Sequence, residues 1–169
     1  MAGYAGSILV AAGLILLPAS GLGQDLTRID DAWGRYRNAR FGTSADVPGI
    51  FARAEPAPAN GDGRTFKAVD GAELRIFASH GAATVTENFT AYRNWLLDEL
   101  RKEGVAIAYK AQGKEWLVAS GTRGRDIVYV KAIEGCGATH EIRVTYPIAG
   151  RQAYDPLMGR LARSLGCAP

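Results

Sequence analysis

Apolar and polar residues alternate with a period of two along several short stretches of this chain, which predicts strands with one face turned inward. Leu74, Ile76 and Ala78 alternate with Glu73, Arg75 and Phe77. Val128, Val130 and Ala132 alternate with Ile127, Tyr129 and Lys131, and Ile142 and Val144 with Glu141 and Arg143. Strands are expected over 33–38, 41–47, 64–69 and 73–79, then in quick succession over 105–111, 115–120, 127–133 and 139–146. Asp70-Gly71 between two of them reads as a type I′ hairpin turn, which needs residues that tolerate positive φ. The stretch 52–62, with Pro56, Pro58 and an Asn60-Gly61 pair, reads as a surface loop.

Two segments follow a helical period instead. Phe89, Tyr92, Leu96, Leu97 and Leu100 form a stripe at helical spacing. Thr84 with Glu87 three residues on resembles a capping box, and Gly104 stands where a helix ends. A helix over 85–103 follows. Near the chain end Asp155 reads as a cap with Pro156 in the first turn, Leu157, Leu161 and Leu165 line one face, and Gly166 terminates it. Strands and helices are thus segregated along the chain, the mark of an α+β fold. The expected build is an antiparallel β-sheet of about six to eight strands, one long central helix and one C-terminal helix. The pattern leaves open whether the helices share a face.

The beginning of the chain is different in kind. Residues 1–23 carry no Lys, Arg, Asp or Glu, and Ile8 to Leu17 is an apolar run broken by one Gly. Pro18 ends it, and Ala19, Gly21 and Gly23 supply the small residues that a signal peptidase accepts. The run is shorter than the ~20 residues a membrane span needs. Residues 1–23 therefore read as a secretory signal peptide, 24–31 as a linker and 32–169 as a single domain. Periplasmic or secreted localisation follows, with no stable transmembrane segment in the mature chain.

Export changes the meaning of the cysteines. The chain has two, Cys136 and Cys167. An even count in an oxidising compartment predicts a disulfide between them. Closing that loop of about 31 residues stabilises the fold by roughly 3–4 kcal/mol on the chain-entropy argument. No C-x-x-C is present, so thiol redox catalysis is not indicated.

Composition adds little chemistry. Hydrophobic residues make up 47%, charged residues 22%, and the net charge is +3 with a pI near 9.0. The basic residues are dispersed, and no nucleic-acid-binding module is recognisable, so nucleic acid is not an expected partner. His80 and His140 lack companions at metal-ligand spacing. No G-x-S-x-G or comparable nucleophile signature occurs. The Asn60–Gly63 stretch (NGDG) lacks the later acidic ligands of a calcium loop. Asn88-Phe89-Thr90 matches a glycosylation sequon but falls in a predicted helix. No catalytic, cofactor or metal residues are assigned, and no cofactor is expected.

Four pieces carry a resemblance: Tyr36–Gly42 (YRNARFG), Asn60–Gly63 (NGDG), Trp116–Gly121 (WLVASG) and Tyr154–Pro156 (YDP). They resemble uncharacterised exported proteins of soil- and plant-associated alphaproteobacteria. The element order of most of the mature chain also resembles the PsbP-like superfamily. That resemblance implies a mostly non-catalytic binding or accessory role and assigns no residue. The reading is an exported, non-enzymatic accessory protein whose partner is another exported or envelope protein. Two alternatives stand beside it: a hydrolase with a dispersed site around His80 or His140, and a small-ligand or glycan binder using Trp33, Trp95 or Trp116.

Overall fold

The computed structural model describes residues 25–168. The segment read as a signal peptide lies outside them. Eleven strands form two antiparallel sheets. The larger has seven, in the order β4-β5-β6-β10-β9-β8-β7. These are β4 (Arg53–Ala54), β5 (Gly63–Lys67), β6 (Glu73–Ser79), β7 (Ala106–Gln112), β8 (Trp116–Arg123), β9 (Asp126–Gly135) and β10 (Ala138–Pro147). The smaller has the order β1-β2-β3-β11, from β1 (Leu26–Arg28), β2 (Trp33–Arg37), β3 (Thr43–Pro48) and β11 (Gly166–Cys167). The α+β expectation holds, but the strands divide between two sheets. Leu26–Arg28, expected within the linker, is a strand paired with β2 through Leu26 opposite Tyr36.

Short-range chemistry sets the elements, and in three places it differs from the expectation. At the tip of the β5–β6 hairpin only Gly71 has positive φ, at +89°. A type I′ turn would need Asp70 there too. Instead Ala68 and Ala72 pair around a three-residue loop closed by the glycine. The long helix α2 is Phe89–Lys102, and the single turn α1, Gly81–Thr84, precedes it. Thr84 donates its hydroxyl to the His80 carbonyl at 2.9 Å, and Thr86 turns back to Ala82, so these hydroxyls serve the backbone locally. Asn88 is the cap, accepting from the Ala91 N–H at 3.0 Å. The sequon asparagine therefore begins the helix rather than lying inside it. The last helix, α3, is Arg151–Ser164, a turn earlier than Asp155 suggested, and Pro156 sits within it. Its exposed side tolerates the lost backbone bond, while Tyr154, Met158 and Leu161 are buried on the other.

The helices cover opposite faces of the seven-stranded sheet, and each covers only half. On one face α3 and the small sheet enclose a core over β5, β6 and β10, built on Tyr36, Phe66, Leu74, Ile76, Ile142, Val144, Tyr154 and Leu161. On the other face α2 encloses a second core over β8 and β9, with Tyr92, Leu96, Leu97 and Leu100 against Leu117, Ala119, Val128, Val130 and Ala132. The complementary quarters, one on each face, have no helix over them.

The expected Cys136–Cys167 disulfide is formed, with Cα atoms 6.2 Å apart. It ties β11 to the β9–β10 turn and so pins the small sheet to the large one.

Candidate binding surface

The residues considered for chemistry from the sequence do not converge. His140 is fully buried. Its Nε2 faces the Gly135 carbonyl at 2.9 Å and its Nδ1 the Thr43 hydroxyl at 2.8 Å. A neutral ring satisfies both contacts, donating to the carbonyl and accepting from the hydroxyl, and burial holds its pKa below the usual value. It joins the two sheets and is closed to substrate. His80 is exposed, with Nδ1 3.1 Å from the Gly137 carbonyl and its ring 5.3 Å from that of Phe41. Among the described residues, no three His, Cys, Asp or Glu are placed to hold a metal ion.

The tryptophans are dispersed too. Trp33 lies under the Arg160 guanidinium, 4.2 Å from its carbon. Trp95 packs beside Tyr92 on α2, with ring centroids 5.1 Å apart. Trp116 stands on the opposite face of the large sheet from α2. A glycan platform built from all three is therefore not assembled.

Around Trp116, however, is a surface the sequence did not single out. Register places Trp116 opposite Ile133, Val118 opposite Lys131 and Ser120 opposite Tyr129. It also sets Ala111 opposite Val118 and Tyr109 opposite Ser120. Residues paired across a ladder share a face, so this set lies over β7, β8 and β9; it is open over β7 and β8, while Tyr129 and Ile133 on β9 are half-buried and pack against the core beneath α3. Tyr109 is 57% exposed and Trp116 37%. Burial pushes the Tyr129 hydroxyl up to about 12, with the neighbouring Tyr109 a lesser cause. Lys131 rises through the middle of the patch. Its Nζ lies 4.4 Å from the centre of the Trp116 ring. Burial alone lowers its pKa, and what caps it is a π face rather than a carboxylate. Gly113 makes room for the indole, since a Cβ there would come within 2.3 Å of the Trp116 ring nitrogen.

Both parities of β9 are apolar: Val128, Val130 and Ala132 face α2, while Ile127, Tyr129 and Ile133 face away. That second parity is itself largely covered, since Ile127 is buried in the core beneath α3 and Tyr129 and Ile133 pack against it. The exposed part of the patch, Tyr109 and Trp116, carries no periodic signal of its own in the sequence.

The fold has a counterpart among solved structures. Over 89% of this chain and 99% of the other, the structure resembles cyanobacterial PsbP (CyanoP) from Synechocystis sp. PCC 6803, with a TM-score of 0.58 and 11% sequence identity. The fold is PsbP-like. A crystal structure of a protein of unknown function from Pseudomonas aeruginosa aligns over 82% of this chain and 99% of that one, at 16% identity and a TM-score of 0.49. No protein-family model matches the chain, and no curated protein matches it. No helix among the described residues is long and apolar enough to cross a membrane.

Proposed function

We propose that this chain is an exported, non-catalytic accessory protein that holds a partner protein, itself exported or part of the envelope, against the open half-face of β7, β8 and β9. The observation that supports this is the patch of Tyr109, Trp116, Val118 and Tyr129 around Lys131. A sheet face left to water is ordinarily polar. One that keeps aromatic rings exposed, as Tyr109 and Trp116 are, has the composition of an interface. The reading as an exported protein rests on the uncharged apolar segment at 8–17 and agrees with the disulfide. The hydrolase alternative finds no support at His140, which is sealed between Thr43 and Gly135, and His80, though exposed, has its Nδ1 engaged with the Gly137 carbonyl.

A photo-crosslinking amino acid placed at Tyr109, at Val118 and at the remote exposed Val69 tests this in cells. The expected result is one adduct of the same mass from the first two positions and none from Val69. Absence of adducts, or equal labelling from all three, would overturn it.

A further inference from the structure

The other open quarter, over β5, β6 and β10, contains an electrostatic conflict. Arg75 and Arg143 stand directly opposite each other in the β6–β10 ladder. Like charges in that position, with Cβ atoms about 5 Å apart, destabilise a sheet. Arg123, at the end of β8, brings a third guanidinium to the same place, and the three line a cavity of about 190 Å³ with Glu73, Glu103 and Thr145. Glu103 accepts from both Arg143 and Arg123. Among the described residues Arg75 makes no ion pair within 4 Å; its charge is felt by the buried Glu141 carboxylate, and it lies over the Phe77 ring at 5.4 Å. Glu103 also caps the C-terminal end of α2, where the helix dipole disfavours an anion. Its carboxylate shows that an oxyanion satisfies this arginine set, and it stands where one can be displaced.

We infer that Arg75, Arg143 and Arg123 form a binding site for a phosphate-class oxyanion, which bridges the opposed guanidiniums, with the Thr145 hydroxyl as a further donor and Glu103 as an internal competitor. Arginine suits this task because its planar fork meets phosphate oxygens in pairs. Local rules broken at a cost to the fold are expected at functional sites. The site lies on the opposite face from the docking surface proposed above, so the two stand or fall separately.

The test uses the mature chain, inorganic phosphate and low salt, with calorimetry for affinity and thermal unfolding for stability. The wild type is expected to bind phosphate and to gain melting temperature as phosphate is added. Arg75→Gln, which keeps much of the stem, removes both the like-charge pair and a charge that favours the buried Glu141 carboxylate, so its melting temperature in phosphate-free buffer is taken as its own baseline. Against that baseline it should bind phosphate at least tenfold more weakly and gain no stability from it. Glu103→Gln is expected to bind several-fold more tightly. Arg151→Gln, in an exposed pair with Asp155, should bind as wild type does. A wild type that ignores phosphate at millimolar levels, or an Arg75→Gln variant that binds equally well, would overturn the site. Glycerol phosphate and vesicles of phosphatidylglycerol in phosphatidylcholine then separate the sources: binding to the soluble ester alone identifies a free phosphate ligand, and cosedimentation lost in Arg75→Gln identifies a headgroup.

Discussion

The two open quarters of the seven-stranded sheet are made of the same kind of backbone yet meet solvent in opposite ways. Over β5, β6 and β10 the open side chains are Thr65, Lys67, Glu73, Arg75, Phe77, Arg143 and Thr145, mostly charged or hydroxylic. Over β7, β8 and β9 they are Tyr109, Ala111, Trp116, Val118, Ser120, Tyr129 and Lys131, mostly aromatic or aliphatic. The first surface is soluble as it stands and suits a small anion. The second leaves apolar area in water and suits a macromolecule. The difference teaches that a missing cover is informative only together with the chemistry of what it leaves bare.

The largest way to break this contrast is to remove the cover from a covered quarter. Reducing the Cys136–Cys167 bridge, or replacing Cys167 by Ser, frees β11 from the large sheet. The expected loss is roughly 3–4 kcal/mol in denaturant unfolding under oxidising conditions. Close in size is Leu161→Ala, which hollows the core beneath α3, where Leu161 is fully buried. Its expected cost is about 2–5 kcal/mol. Trp116→Ala on the open quarter is the matched control. Partly exposed and packed against Gly113 and Lys131, it should cost clearly less than Leu161→Ala in the same unfolding measurement.

A smaller effect comes from pH. His140 has its folded pKa depressed by burial. The unfolded chain therefore binds the proton more tightly, and stability is expected to fall as pH drops below the unfolded value of about 6.5. His140→Gln should flatten that limb of the stability curve. Glu141 works in the other direction. Burial raises its folded pKa, opposed by the hydrogen bond from Tyr92 and by Arg143 and Arg75. The folded state holds that proton more tightly, so its contribution is present below the unfolded carboxyl pKa and is lost as pH rises through the raised folded one. Glu141→Gln, which can still accept from Tyr92, should be more stable than wild type at neutral pH. The gap should close on acidification.

Much of this fold is legible in the sequence because it is local. The bounds of β6, the four-strand meander and the disulfide follow from alternation, glycine breaks and cysteine count. The helix starts do not. Thr84 with Glu87 has the form of a cap, but the threonine hydroxyls bind the backbone behind them and Asn88 takes the role. Asp155-Pro156 has the form of a helix start, yet Gly150 precedes the first turn. The two sheets, and the placing of the helices on opposite faces, depend on pairings between distant segments that periodicity does not encode. The candidate sites share that origin. Lys131 meets Trp116, and Arg75 meets Arg143, only through the registers of β8 with β9 and of β6 with β10.

The most direct measurement is hydroxyl-radical footprinting of Trp116 and Tyr109, made once on the purified chain and once in intact cells of its native host. The docking account expects both to be oxidised readily in the purified protein and protected in cells, while exposed Val69 reacts alike in both. Equal oxidation of Trp116 and Tyr109 in the two settings would contradict it.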